Sequence, residues 1–328
     1  MLGSFVNVTT RFALLALSLL ALLALGLTAC SGGGSDEVKF PETVIIKEGD
    51  ITPILANSEL VVGLNRIAIG ILDRDGVPIV DAKVKLTFYD LNGGQTVKKE
   101  EFDAVSRVPA RDAGIAEQID ITNPDGSRRT QFNVGEDVGI YTAMVTFERG
   151  GNWGLKIDVD STKPKVKQTV LPRFNVLEKG ITPAIGSPAP RSRNLTAADV
   201  TDLTIIDTSP KPSVEMHTST IADAIAAGKP TLVLFAVPGY CESRLCGPEL
   251  EIMRKLFPKY RDRAEFIHVE FYKDPSRPNK TPVDAVREWN LRSEPWFFLI
   301  DKQGNIAAKF EGPTSLQELD EAMQVIAP

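Results

Sequence analysis

The sequence predicts a chain of two folded parts, an all-β sandwich followed by an α/β domain, and three observations carry that prediction. Short stretches between about positions 60 and 160 alternate strictly between apolar and polar residues. A run of prolines from about 161 to 213 then interrupts the pattern. After position 203 the rhythm changes to short apolar runs separated by helical segments. Beyond the amino-terminal segment roughly 300 residues remain, more than a single core usually organises, so two domains are expected.

The amino terminus has its own character. Phe12 to Leu27 is an almost unbroken apolar stretch behind a lone Arg11. It is too short and too weakly flanked for a membrane span and reads as the core of a signal peptide. It ends in Leu27-Thr28-Ala29-Cys30, followed by Ser31-Gly32-Gly33-Gly34-Ser35-Asp36-Glu37. This combination resembles the lipobox and tether of bacterial lipoproteins. The resemblance implies a signal peptide over 1–29, a lipidated Cys30, a flexible tether over 30–37, and residence on the extracytoplasmic face of a membrane. Export matters for the other two cysteines, because disulfides form and persist outside the cytoplasm. The net charge of −6 comes without a polybasic patch, which argues against nucleic acid as a partner.

The first folded part is expected over 38–160. In Lys83-Val84-Lys85-Leu86-Thr87-Phe88 the apolar side chains fall on one face and the polar ones on the other, the period of a half-buried strand. Ile67, Ile69 and Ile71 repeat this before the turn Asp73-Arg74-Asp75-Gly76, as do Tyr141, Ala143, Val145 and Phe147. Leu155, Ile157 and Val159 form a last strand. Asp137-Val138-Gly139-Ile140-Tyr141 has the form of a tyrosine corner, in which the hydroxyl bonds back to backbone just upstream in a Greek-key sandwich. The segments DGVPIVDAKVKLTF and GIYTAMVTFERGGNWGLKIDV resemble YtkA-like and related immunoglobulin-like exported domains. That resemblance implies a spacer or interaction module and brings no catalytic residues.

Residues 161–202 are expected to be a proline-rich linker, with Pro164, Pro172, Pro183, Pro188 and Pro190 excluding a long helix or central strand. The α/β part follows over 203–328. It opens with a short strand at Leu203–Ile206 and a helix from about Thr220 to Ala227, stopped by Gly228. The run Thr231-Leu232-Val233-Leu234-Phe235 reads as a strand buried on both faces. A cysteine loop, a helix to about Tyr260, a strand at Phe266–Phe271 and a helix near Val283–Trp289 come next. Strands at Trp296–Ile300 and Ile306–Phe310 follow Pro295, and Ser315-Leu316-Gln317-Glu318 opens a final helix with a capping-box pattern.

That order of elements, the buried strand leading into GYCESRLCGP, the Cys-Gly-Pro at a helix start and the proline before the last pair of strands together resemble the thioredoxin family. The resemblance covers about 140 residues. It implies a thioredoxin-like fold, a cis Pro295 facing the sulfurs, and a substrate-binding edge formed by Glu294, Pro295 and Trp296. It also implies thiol–disulfide exchange with exported proteins through Cys241 and Cys246, with no cofactor. A helix start suits such chemistry, because free N–H groups and the helix dipole stabilise a thiolate, and Arg244 is placed to add to this.

The chain departs from the family in two ways. Four residues separate the cysteines instead of two, and two registers fit. Matching Cys246-Gly247-Pro248 puts Glu249 where the resolving cysteine belongs, with Cys241 resolving from the other side. Matching Tyr240-Cys241 to the family's Trp-Cys makes Cys241 the nucleophile. The family also keeps a buried acid beneath its sulfurs, and here that place is Leu234. A structural disulfide on a surface binding lipoprotein is the alternative reading of the pair.

A Sco-like copper-delivery protein is the third reading, since that family joins a cysteine pair to a histidine on the same frame. Only His217 and His268 are available, the first in a linker-like stretch and the second in a strand of core residues. No metal site is therefore expected. Trp289, Trp296, Phe297 and Phe298 read as core, with Trp296 a candidate to line a substrate groove.

Overall fold

The computed structural model describes residues 38–44, 50–115, 118–122, 126, 128–132, 137–241, 243–276 and 280–328. The expected signal peptide, the tether and Cys30 lie outside the described residues. No helix among the described residues is long and apolar enough to cross a membrane.

Eleven strands build the first half among the described residues: Thr52–Leu55 (β1), Gly63–Leu72 (β2), Lys83–Asp90 (β3), Val97–Asp103 (β4), Val105–Arg107 (β5), Ile119–Thr122 (β6), Arg128–Phe132 (β7), Ile140–Phe147 (β8), Gly151–Thr162 (β9), Lys165–Val170 (β10) and Arg173–Val176 (β11). They form one antiparallel sheet in the order β1-β2-β8-β5 and a second in the order β10-β9-β3-β4, with β11 on the far stretch of β9. β6 and β7 pair as a separate ribbon. The alternation read from sequence explains the packing. Ile67, Ile69 and Ile71 of β2 and Val145 and Phe147 of β8 meet Val84, Leu86 and Phe88 of β3 and Leu155, Ile157 and Val159 of β9 in one shared core.

Two expectations change here. The strand system runs on past position 160, because β10 and β11 lie inside the stretch expected to be linker and both pair antiparallel with β9. Pro164 sits in the turn between β9 and β10, after a cis peptide bond, and Pro172 sits between β10 and β11, so neither removes a ladder hydrogen bond. The tyrosine corner is also different. The Tyr141 hydroxyl accepts a hydrogen bond from the backbone N–H of Ala82 at 2.8 Å, 59 positions earlier, and not from the backbone just upstream. Asp137, in that upstream segment, is engaged instead by Arg111, which also holds Asp81.

A short helix, Pro109–Ala113 (α1), lies between β5 and β6. The second half contains Ile221–Ala226 (α2), Thr231–Ala236 (β12), Cys246–Tyr260 (α3), Glu265–Glu270 (β13), Asp284–Glu288 (α4), Trp296–Ile300 (β14), Ile306–Glu311 (β15) and Leu316–Ile326 (α5). Its sheet has the order β13-β12-β14-β15, with β12 parallel to β13 and antiparallel to β14, and β14 antiparallel to β15. From β12 onward this is the element order that the thioredoxin resemblance implies. All six residues of β12 are buried, as an unbroken apolar run in a central strand requires. The expected strand at Leu203–Ile206 is a single 3-10 turn, Leu203–Ile205, which Asp202 caps by accepting the Thr204 N–H at 2.9 Å. The capping box on α5 is formed as read, with Ser315 and Glu318 satisfying each other's backbone N–H groups.

Phe40–Pro328 make up one compact unit. Arg66 of β2 reaches Glu318 of α5 at 2.8 Å and the carbonyls of Glu311 and Pro313. Asp112 of α1 accepts the N–H of Leu316 at 3.1 Å. Residues of the expected linker are tied down as well, since Gly186 donates to the Ile306 carbonyl and Ala189 to that of Gly304.

Candidate functional site

β12 delivers the chain into a loop that carries Cys241 and ends at Cys246, the first residue of α3. Thr208 anchors this loop. A Cβ on Gly239 would lie 2.3 Å from the Thr208 carbonyl oxygen, so only glycine permits the approach. The Gly239 N–H donates to Thr208 Oγ1 at 2.9 Å, and Thr208 in turn donates to Glu270 from its N–H at 2.9 Å and its hydroxyl at 3.1 Å. Arg244 turns the chain into the helix with φ at 61°, a left-handed conformation uncommon outside glycine. Its N–H donates to the Cys241 carbonyl at 3.2 Å.

The two sulfurs lie 2.7 Å apart, both as free thiols and both buried. Cys241 Sγ also receives the Cys246 backbone N–H at 3.4 Å and lies 3.1 Å from Ser243 Oγ. The two environments differ sharply. The Cys246 thiol donates to Cys241 and, against the opposing effect of burial, lowers the Cys241 pKa to about 7, with help from Ser243 and the Cys246 N–H. Burial pushes the Cys246 thiol well above the ordinary thiol range, and donation to Cys241 adds to this. Near neutral pH Cys241 is thus about half thiolate, beside a thiol at 246 that stays protonated. The Arg244 side chain lines a surface groove with Asp81, Asp137 and Lys163, while Cys246, Ser243 and Glu294 act on the Cys241 sulfur.

The Glu294–Pro295 peptide is cis. The Glu294 carboxylate raises the pKa of both cysteines, which places residue 294 within electrostatic reach of the sulfurs. Trp296 is buried, stacks on Phe298 with ring centroids 5.4 Å apart, and donates from Nε1 to Ser293 Oγ. It borders a groove of about 490 Å³ whose other walls include Arg66, Met144, Ile185 and Phe310. Trp289, Phe297 and Phe298 are core residues, and Trp289 Nε1 donates to Ser192 Oγ at 3.0 Å.

Leu234 is fully buried and carries no acid, as read. The neighbouring strand supplies one. Glu270 at the end of β13 is paired in register with Ala236, is buried, and acts electrostatically on Cys241. Burial holds its carboxyl well above the usual carboxylate range. The signal was present in the sequence as an acidic residue, Glu270, inside the largely apolar strand Phe266–Phe271. Glu249, the residue in the place of the absent resolving cysteine under one register, is fully buried too. Its Oε1 accepts the Thr314 N–H at 2.7 Å and burial raises its pKa strongly.

His217 and His268, expected to be separate, lie together. Their ring centroids are 5.2 Å apart, and both rings are buried beside Asp207. Burial lowers the His268 pKa to about 3, and His217 holds the Asp207 carboxylate well below the usual range despite its burial. Neither cysteine belongs to this group. The pairing of cysteines with a histidine that the copper-delivery reading needs is not found among the described residues.

No protein-family model and no curated protein matches the chain. Among solved structures, the chain is similar to a protein from Chlorobium tepidum described as a thiol:disulfide interchange protein DsbE, at 13% identity and a TM-score of 0.33, over 45% of this chain and 100% of the other. It is also similar to a thiol:disulfide interchange protein of the thioredoxin family from Chlorobium tepidum TLS, at 20% identity and a TM-score of 0.25, over 32% of this chain and 85% of the other. At these scores neither likeness bears on chemistry, which rests on the residues of the chain itself.

Proposed function

We propose that the chain exchanges thiols and disulfides with exported proteins, with Cys241 as the attacking sulfur and Cys246 as the resolving one. The observation that supports this reading is the asymmetry of the pair, a low-pKa thiolate 2.7 Å from a buried, protonated thiol at a helix start. In the reducing direction the Cys241 thiolate attacks one sulfur of a partner disulfide and displaces the other as a thiolate. The mixed disulfide is then attacked by Cys246 after loss of its proton. The partner leaves as a dithiol, and the Cys241–Cys246 disulfide holds the two-electron oxidation. Glu294, whose charge acts on both sulfurs, Pro295 and Trp296 are the proposed edge on which a partner strand lies. Lipidation of Cys30 is the proposed means of holding this activity at the outer face of a membrane.

The low exposure of Cys241, 3%, favours a second reading in which the pair is a structural disulfide that stays closed. A trapping experiment separates the two. Reduced Cys246→Ala protein is mixed with a disulfide-bonded substrate protein and resolved without reductant. Exchange predicts a covalent adduct through Cys241 that is absent from Cys241→Ala; the structural reading predicts none.

A further inference from the structure

Asp207, His217 and His268 stand in one buried cluster that the exchange chemistry does not use. Asp207 follows the turn Leu203–Ile205, His217 closes the turn Val214–Met216, and His268 is the fourth residue of β13. The segment carrying the first two packs against β13 and so joins residues far apart in the chain. One donor atom from each residue lies within 4.8 Å of the others, and His217 Nε2 is 3.5 Å from Asp207 Oδ2. None of the three side chains is more than 1% exposed.

The carboxylate is well held. It accepts the N–H groups of Ser209 and Ser213 at 3.0 Å each, and Arg254 Nη2 lies 3.5 Å from Oδ2. The imidazoles are not. Neither ring nitrogen of His217 or of His268 has a hydrogen bond of normal geometry among the described residues: His217 Nε2 approaches only Asp207, at 3.5 Å, and His268 has only the Ala236 backbone near it. A buried polar group left unpaired costs about 1–3 kcal/mol, and two adjacent imidazoles in that condition, turned toward one carboxylate, point to an occupant.

We propose that Asp207, His217 and His268 bind a single divalent first-row transition cation, with Zn²⁺ the best match to two imidazoles and one carboxylate. The 3.5 Å separation of His217 Nε2 and Asp207 Oδ2 is close to the ~3.3 Å edge of a tetrahedron with ligand bonds of about 2.0–2.2 Å. The Ser209 and Ser213 N–H groups orient the carboxylate as outer hydrogen bonds do in such sites. Nitrogen and oxygen donors without a thiolate select against Cu(I). Arg254 balances the carboxylate when no cation is bound, and it has alternative acceptors in Ser209 Oγ at 3.0 Å and the Lys211 carbonyl at 2.6 Å. Because Thr208 adjoins Asp207 and anchors the cysteine loop, a bound cation would brace that loop from behind.

The test uses the full chain with Cys30, Cys241 and Cys246 all replaced by serine, so that no thiolate competes for metal. After chelator treatment and dialysis it is titrated with ZnCl₂ by calorimetry and with CoCl₂ by visible absorption. One equivalent of each cation should bind, with d–d bands of low-coordinate Co²⁺, and His217→Gln should weaken Zn²⁺ binding at least about 100-fold while circular dichroism is retained. Should His217→Gln fail to fold, X-ray absorption at the zinc edge of the thiol-free parent decides, two imidazoles and a carboxylate oxygen supporting the site and any other donor set overturning it. Absence of stoichiometric binding in the thiol-free protein, or undiminished binding in folded His217→Gln, overturns the proposal and leaves the exchange reading untouched.

Discussion

Replacement of Cys246 by alanine tests the electrostatics of the sulfur pair. It removes the S–H group that does most to lower the Cys241 pKa, while the Cys246 N–H at 3.4 Å and Ser243 at 3.1 Å remain. Burial and the charge of Glu294 act in the opposite direction, so the Cys241 pKa should rise from about 7 to the ordinary thiol value of about 8.5. That rise corresponds to about 2 kcal/mol, the size of a hydrogen bond to a charged acceptor. At pH 7 the thiolate fraction falls from about one half to about 3%, roughly 16-fold, while the greater basicity of the remaining thiolate raises its reactivity about fivefold. The net result is alkylation about threefold slower at pH 7 and several-fold faster above pH 9. The assay is the pH dependence of iodoacetamide labelling of the Cys241 peptide, followed by mass spectrometry. Low exposure of Cys241 scales every rate alike and leaves the midpoint in place. A wild-type midpoint at 8.5 or above, or one that stays near 7 in Cys246→Ala, refutes the reasoning.

Three further outcomes follow from contacts in the fold. Arg66→Ala leaves the largely buried Glu318 carboxylate and two carbonyls without their guanidinium, with Arg107 at 3.3 Å as partial compensation, and should cost about 2–4 kcal/mol in urea denaturation; a loss under about 1 kcal/mol contradicts this. Tyr141→Phe strands the Ala82 N–H and should cost about 1–2 kcal/mol, whereas an unchanged midpoint would show that water replaces the hydroxyl. Glu249→Gln should become the more stable form as pH rises. The folded-state pKa of Glu249 is raised, so its favourable contribution is complete below the unfolded value of about 4.3 and is lost as pH climbs toward the folded value, a loss that glutamine does not suffer. Denaturation at pH 5 and pH 8 should show the difference between the two proteins shifting toward the variant, and a pH-independent difference contradicts it.

The parts of the fold legible in sequence are those where one local rule dominates. A short apolar run bounded by Gly228 and Pro230 on one side and Pro238 on the other reads as a strand covered on both faces, and Thr231–Ala236 is one. Ser315 and Glu318 announce a helix start three residues apart, and the structure forms both halves of the cap. Strands β10 and β11 are masked in the sequence by prolines that bound them without interrupting them. Lys165 to Val170 alternates as a strand should, and Pro164 and Pro172 fall at its two ends.

The site was partly legible. Cys246 stands at the helix start expected of it and Cys241 in the loop before it, yet their roles depend on burial and on which thiol donates to the other, which neither register reveals. Glu270 and the Asp207 cluster depend on which strand adjoins β12 and on a segment folding back over β13. Such proximity is a property of the tertiary fold, and no spacing in the chain encodes it.

The reduction potential of the Cys241–Cys246 pair decides between exchange chemistry and a structural bridge. Equilibration of the protein in glutathione or dithiothreitol buffers, with the thiol and disulfide forms counted by mass, gives the value. Exchange chemistry requires a potential of about −270 to −120 mV, the range of proteins that pass disulfides to others. A potential below about −300 mV, joined to the absence of any mixed disulfide on Cys246→Ala, would contradict it and make the pair a structural bridge.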